Sequence, residues 1–176
     1  MLSRRVGIDS GARAQHPRHT MLRIYGTCVA LSGLGVLLRG PSGSGKSDLA
    51  LRLIDGGARL VADDQVELTL DAAGRVMARP PRPIAGLLEV RGIGILAMDA
   101  VRTAPVGLVV DLAPDDQVER LPREETCLLL DRAIRRLVLA PFHASTPAKL
   151  RLAASRLSAG SLTPVPDRTG HDHVSH

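Results

Sequence analysis

The chain has 176 residues, is 44% hydrophobic and 23% charged, and so is long enough for one globular domain with a sizeable core. It has one Tyr, one Phe and no Trp, which predicts an aliphatic core and leaves no series of platforms for stacking nucleic-acid bases. The net charge of +5 comes from arginines that are mostly scattered singly, and this favours a solvated surface over a nucleic-acid patch.

Hydrophobic patterning predicts one folded domain at residues 21–159, between a disordered leader at 1–20 and a disordered tail at 160–176. Strands are expected at residues 23–31, 35–39, 59–62, 65–70, 75–78 and 106–111, and helices at 48–55 and 146–157. Residues 84–98 form an apolar segment punctuated by glycines, and residues 127–139 fit either two strands or one helix. No apolar run approaches the roughly 18 residues of a membrane span, and no signal-peptide core is present, so we expect a cytoplasmic protein.

A phosphate-binding loop is the strongest motif in the chain, because a strand precedes it and a helix follows it. The loop consists of Gly40, Pro41, Ser42, Gly43, Ser44, Gly45, Lys46 and Ser47. Gly43 and Gly45 can adopt positive φ, so that backbone N–H groups turn inward and form a nest for phosphate oxygens. Lys46 is expected to reach the phosphates of ATP, and the Ser47 hydroxyl to bind Mg²⁺. Since only two of the 23 basic residues are lysines, a lysine at this position indicates a requirement for that side chain.

Acidic residues that follow buried strands are the candidates for a second magnesium ligand and for a general base. Asp63 and Asp64 end the strand after the loop-bound helix, at the sheet edge where α/β proteins place ligands. A turn or a helix cap is the alternative explanation for either residue. Asp111 ends a second apolar strand and competes for the metal, and spacing alone leaves this choice open.

Two charged residues, Glu89 and Arg91, interrupt the apolar segment that follows the prolines at 80–83. They carry charge toward one face of a predicted strand. The ordinary explanation for these two charges is an ion pair on the protein surface. The functional explanation is that both residues belong to the site.

The order and spacing of four elements resemble the catalytic domain of the HPr kinase/phosphorylase family. The four are the loop at 40–47, Leu60–Asp64, Gly86–Leu96 and Glu119–Leu121, and the resemblance runs from about Leu22 to Leu157. It implies an α/β fold, a small P-loop domain with a mixed sheet and flanking helices that is similar to phosphoenolpyruvate carboxykinase. It also implies a homo-oligomer, usually a hexamer.

By the same resemblance, Asp64 accepts the proton of the target serine, and Ser47 with Glu89 holds Mg²⁺. Asp63 or Asp111 would assist the metal. Arg120 matches the family's catalytic arginine, and with Lys46 it would spread the charge on the transferring phosphoryl group. The implied activity is an ATP-dependent serine kinase that acts on an HPr-like phosphocarrier protein.

Three departures from the family pattern bear on the activity. The family's N-terminal domain has no counterpart in this sequence, which resembles the family's short form. Tyr25 stands where the family commonly has a catalytic histidine, and residues 143–146 replace a Gly-Arg-Asn stretch of bifunctional members. We therefore expect phosphorylase activity to be weak or absent. The alternatives are a small-molecule kinase or ATPase with the same site, and a nucleotide-sensing module with little turnover.

Overall fold

The structure is a computed structural model that describes residues 20–160 and Leu162. Nearly all of the predicted leader and of the predicted tail lies outside these residues. Eleven strands and two helices follow one another along the described chain. The strands are β1 (Leu22–Tyr25), β2 (Thr27–Leu31), β3 (Leu34–Arg39), β4 (Arg59–Ala62), β5 (Gln65–Leu70), β6 (Val76–Arg79), β7 (Leu87–Val90), β8 (Gly94–Ala97), β9 (Ala104–Leu112), β10 (Glu125–Leu129) and β11 (Arg132–Leu139). The helices are α1 (Lys46–Asp55) and α2 (Thr146–Ser158).

The fold is mixed α/β, and β9 is the strand that joins the parts of its sheet. One edge of β9 pairs in parallel with β3, from Gly35 against Val106 to Arg39 against Asp111. Along the other edge, residues 104–105 pair antiparallel with β6, and residues 108–112 pair in parallel with β11. The remaining pairs of this sheet are antiparallel, and they complete the order β1-β5-β6-β9-β3-β2-β4. The loop at 40–47 thus starts where two parallel strands, β3 and β9, end side by side.

Both helices pack against one face of the sheet because alternate residues of its central strands point to opposite sides. Val36 and Leu38 of β3 and Leu108 of β9 share a core cluster with α1 and α2. Leu37 and Val109 point the other way, into a second cluster formed by strands β5, β6 and β10. The strongly apolar sequences of β3 and β9 follow from this burial on both faces.

Most of the predicted elements are confirmed, and the differences have local causes. The strand expected at 23–31 is divided at Gly26, where the amide donates to the carbonyl of Asp64 at 3.1 Å. A Cβ at Gly26 would lie 2.9 Å from the carbonyl oxygen of Leu38, so the chain can pass this close to β3 only with a glycine at this position. Residues 127–139 contain two strands, joined by a tight turn at Leu130 and Asp131, whose φ angles are 49° and 60°.

The apolar segment at 84–98 is a hairpin of β7 and β8 and forms a two-stranded sheet of its own. Leu88 and Val90 of β7 are buried against Leu60, whereas Ile93 and Ile95 are about 70% exposed. The hairpin is therefore attached to the domain by one face of β7. In the described part of the chain, neither helix is long and apolar enough to cross a membrane.

Replacing Leu108 by alanine tests the central position of β9. Leu108 is fully buried between the sheet and the helices, so Leu108→Ala should lower the free energy of unfolding by about 2–5 kcal/mol. Leu152→Ala, on α2 at 60% exposure, is the matched control and should change it by less than about 0.5 kcal/mol. Urea unfolding followed by circular dichroism measures both, and equal midpoints for the two variants would contradict the assignment.

Candidate active site

The loop at 40–47 has the backbone conformation that its glycines predict. Gly43 and Gly45 have φ angles of 79° and 88°, in the left-handed region where a side chain causes strain. Gly45 immediately precedes α1, and its carbonyl accepts the first helical hydrogen bond, from the amide of Leu49 at 2.9 Å. The Gly40 Cα lies so close to the Ser44 hydroxyl that an added Cβ would be 2.6 Å from it. The free N–H groups at the start of α1 therefore face the concave side of a tightly closed loop.

The Lys46 ammonium lies over the start of this loop. Its Nζ donates to the carbonyls of Gly40 at 2.8 Å and Pro41 at 2.9 Å. These contacts keep the only lysine of the loop beside the nest of backbone amides, where a phosphate group would be bound.

Asp63 is the most connected acidic side chain of the site, and only 6% of it is exposed. Its Oδ1 accepts hydrogen bonds from the Thr27 hydroxyl at 2.7 Å and the Ser47 hydroxyl at 2.9 Å. Its Oδ2 accepts a hydrogen bond from the backbone amide of Glu89 at 3.2 Å. One carboxylate thus joins β2, the start of α1 and β7.

Asp64 differs from its neighbour in conformation and in exposure. Its φ is 65°, which aspartate tolerates better than most residues, and the tight turn there directs its side chain outward. The carboxylate is exposed and makes no hydrogen bond or ion pair with residues 20–160. A carboxylate without partners can still accept a proton from a bound substrate.

A pocket of about 380 Å³ joins these groups. Its lining includes the loop, both aspartates, and Glu89 and Arg91 from the hairpin. No ion pair links Glu89 to Arg91 within the described residues, so the surface ion pair that would explain both charges is not formed. Among the described residues, the lining consists of Thr27, Ser42, Gly43, Gly45, Lys46, Ser47, Asp48, Leu51, Asp63, Asp64, Glu89, Val90, Arg91 and Phe142.

The donors around this pocket suit a hard cation that keeps much of its water. Ser47, Asp63 and Glu89 offer only oxygen atoms, which Mg²⁺ prefers, and the first two are already 2.9 Å apart. Among the described residues, no group of three or more His, Cys, Asp or Glu is arranged to hold a metal alone. Magnesium sites commonly consist of one or two protein ligands completed by water and substrate phosphates, so the residues present fit that ion.

A family model, that of the HPr serine kinase C-terminal domain, matches residues 19–139. The chain belongs to this family. The matched range contains the loop, both aspartates and the whole hairpin.

Curated relatives and a solved structure agree with this assignment. The HPr kinase/phosphorylases of a Geobacillus species (strain WCH70) and of Bordetella pertussis are 41% and 40% identical over 127 residues, or 66% of this chain. The chain spans about two fifths of the length of these relatives, 41% in each case. The Hpr(Ser) kinase/phosphatase from Coxiella burnetii has a similar fold, with a TM-score of 0.66 at 24% identity, over 79% of this chain and 89% of that one. The similarity to phosphoenolpyruvate carboxykinase stays a prediction.

Other residues that the sequence singled out lie away from this kinase-family pocket. Arg120 lies on the exposed segment between β9 and β10 and is not among the residues that line the pocket. Tyr25 ends β1, beside Gln65, with 76% of its surface exposed. It does not line the pocket either, so the position where the family commonly has histidine faces solvent in this chain.

Asp111 is held in an ion-pair network instead of the pocket. It accepts two hydrogen bonds from Arg39, at 2.8 and 2.9 Å, and one from Arg136 at 2.6 Å. Burial alone would raise the pKa of Asp111, but the hydrogen bonds from both arginines outweigh it and keep this pKa below its ordinary value. Between the two acids that competed for the metal, the structure places Asp63 in the pocket and Asp111 outside it.

Several residues of the pocket lining were not among the predicted site residues, and Thr27, Arg91 and Phe142 are three examples. Thr27 could have been noticed as a polar residue in an apolar strand, whereas its contact with Asp63 depends on the packing of β2. Arg91 was noticed as a charge that either forms a surface ion pair or belongs to the site, and no particular role followed from the sequence. Phe142 carried no signal beyond being one of two aromatic residues, and its place depends on the path from β11 to α2.

Asp111→Asn should destabilise the domain without affecting the pocket. A carboxylate whose pKa is lowered by folding stabilises the protein above its unfolded pKa of about 4, and this effect is lost as pH falls through the folded value. Because the network is partly exposed, we expect the substitution to lower the free energy of unfolding by roughly 1 kcal/mol at pH 7. This difference from wild type should shrink as the pH falls below about 4. Urea midpoints over this range measure it, with Asp116→Asn, an exposed acid with no partner within residues 20–160, as the control. If the difference in urea midpoint between Asp111→Asn and wild type grew as the pH fell, this would contradict a stabilising role of the Asp111 ion pairs.

Proposed function

We propose that this chain is an ATP-dependent serine kinase that phosphorylates an HPr-like phosphocarrier protein, with Mg²⁺ as its metal. The observation that carries the proposal is the arrangement around Asp63. A serine at the start of a loop-bound helix and an acid at the end of a neighbouring strand are 2.9 Å apart, directly beside a nest of backbone amides. Phosphoryl transfer from a nucleotide needs this combination of phosphate cradle and metal ligands.

The proposed transfer divides the work among residues of the pocket. Backbone amides of residues 43–47 and the Lys46 ammonium bind the β- and γ-phosphates and hold them in line with the acceptor. Ser47, Asp63 and Glu89 are the residues that would hold Mg²⁺, which neutralises charge on the phosphates when it is bound. Asp64, exposed at the same pocket, accepts the proton of the substrate serine as its oxygen bonds to the γ-phosphorus and ADP leaves.

A second cation is part of the proposal. By resemblance to the family, Arg120 is proposed to stabilise the transferring phosphoryl group, although its segment lies outside the pocket lining. Arg91 lines the pocket and makes no ion pair within the described chain, so its guanidinium is the second candidate for stabilising the transferring phosphoryl group. A cytoplasmic homo-oligomer, a hexamer by resemblance, belongs to the same proposal.

One assay separates this function from its rivals. The purified chain is given γ-labelled ATP and Mg²⁺, with and without a purified HPr-like phosphocarrier. Label on a serine of the carrier supports the proposal. Carrier-independent release of phosphate instead supports an ATPase, and binding without turnover supports a nucleotide-sensing module.

Asp64→Asn should keep nucleotide binding and lose transfer, because an amide cannot accept the proton. A general base contributes about 10²- to 10⁴-fold, so the transfer rate should fall by a similar factor while the Kd for Mg-ATP stays within about twofold. Calorimetry measures the Kd, and initial rates of carrier labelling measure the transfer. Lys46→Ala is the comparison variant and should weaken Mg-ATP binding itself. Transfer by Asp64→Asn at the native rate would move the role of the base to another acid.

Phosphorolysis of the phosphorylated carrier should be weak or absent. It requires inorganic phosphate to be held beside the phosphoserine, which calls for additional anion donors. The segment at 143–146 offers no guanidinium, and Lys149 on α2 does not line the pocket. The measurement is pyrophosphate release from phosphoserine carrier and millimolar phosphate. Release at a rate comparable to the forward reaction would overturn this prediction.

A further inference from the structure

Phe142 is an exposed aromatic side chain at the edge of the phosphate pocket. It lines the pocket with the loop, yet 68% of its surface is exposed to solvent. Its ring lies against the Cα of Gly45, since a Cβ there would be 2.8 Å from Cζ and 3.0 Å from Cε1. The absence of a side chain at Gly45 thus allows the ring to approach the N-terminus of α1.

The backbone on both sides of Phe142 is held by hydrogen bonds from α1 and from α2. Arg52 of α1 donates to the carbonyl of Pro141 and, at 3.4 Å, to that of His143. The Thr146 hydroxyl donates to the carbonyl of Ala140 at 2.6 Å, and its amide to that of His143 at 3.0 Å. Arg52 is itself held by Asp48, another pocket residue, at 2.9 Å. An exposed ring thus rests on a backbone that is fixed at several points.

The position of this ring suits the part of a nucleotide that the loop cannot bind. The loop offers amides and an ammonium, which bind phosphates, and Asp63 and Asp64 on the sheet side are acidic. Phe142 lies against Gly45, in the turn between β11 and α2, and offers a flat apolar face. Every nucleobase has a π-face, so stacking on an aromatic ring does not depend on which base is present.

We propose that Phe142 is the platform on which the base of the bound nucleoside triphosphate stacks. The inference rests on the proposed nucleotide site and adds to it the group that distinguishes a nucleotide from a bare polyphosphate. The composition excludes the series of aromatic residues that single-stranded nucleic acid needs, but a mononucleotide needs one platform only.

The test compares two probes, Mg-ATP and Mg-tripolyphosphate, which share the phosphate chain and differ in the nucleoside. Phe142→Ala should raise the Kd for ATP by roughly fivefold to a hundredfold, the range typical of one lost stacking contact. Its Kd for tripolyphosphate should stay within about twofold of wild type, which also shows that the variant is folded. Phe142→Tyr should bind both probes like wild type. Leu152→Ala, an exposed apolar residue that is not part of the pocket lining, is the matched control.

A fluorescence measurement gives a second, independent readout. The chain has no tryptophan, so Phe142→Trp introduces a single reporter at the proposed platform. Stacking predicts that ATP quenches its emission and that tripolyphosphate does not.

The outcomes separate this inference from the function on which it rests. Equal weakening of both probes by Phe142→Ala would mean that the ring only supports the loop, and would overturn the base contact. Unchanged binding of both probes, or equal quenching by both, would overturn it as well. If the wild-type chain bound neither probe, both the proposed nucleotide site and the proposed stacking on Phe142 would be overturned. Transfer activity does not enter this comparison, so loss of kinase function alone leaves the result readable.

Discussion

The carboxylate of Asp63 is the group on which the geometry of the site depends. A buried carboxylate is costly unless hydrogen bonds replace its water, and each bond to a charged group contributes about 1.5–3 kcal/mol. Here the donors come from three separate elements: Thr27 on β2, Ser47 on α1 and the Glu89 amide on β7. The hairpin that carries Glu89 and Arg91 otherwise touches the domain through one buried face. The orientation of the hairpin and that of the loop-bound helix are thus determined by the same acid.

Three aspartates in or directly after the last residues of buried strands show how partners decide what an acid can do. Asp63 is surrounded by neutral donors, and so remains available to a cation that approaches from the pocket. Asp64, one residue later, is turned outward by its left-handed backbone, and its carboxylate has no partner among the described residues. Asp111 forms ion pairs with two arginines, Arg39 of β3 and Arg136 of β11, and so links these two strands to β9. The same residue type is thus proposed as metal ligand at Asp63 and as base at Asp64, and it forms a structural ion pair at Asp111.

Local patterns in the sequence were enough to predict the loop, α1, α2 and most of the strands. The conformation of Gly43 and Gly45 follows from the loop motif, and the burial of Leu37 and Leu38 follows from an apolar run between turn residues. Pairing between distant strands was not predictable in this way. The choice between Asp63 and Asp111 depends on the register that sets Arg39 beside Asp111, and no local pattern contains that register. The position of Phe142 likewise depends on how α2 packs, and the distance of Arg120 from the pocket on the course of an exposed segment.

The parallel pairing of β3 with β9 also has a consequence for how the domain folds. Gly35 and Val106 are partners although roughly 70 residues separate them along the chain. The β2–β3 hairpin is local, but this long loop must close before the end of β3 lies beside that of β9, and contacts of such separation slow folding. The phosphate loop is continuous with that strand end, so a chain emerging from the ribosome holds the complete loop motif well before it can hold the loop in place. If the proposed function holds, affinity for phosphate depends on the assembled sheet, and a nascent or partly unfolded chain is expected to have little of it.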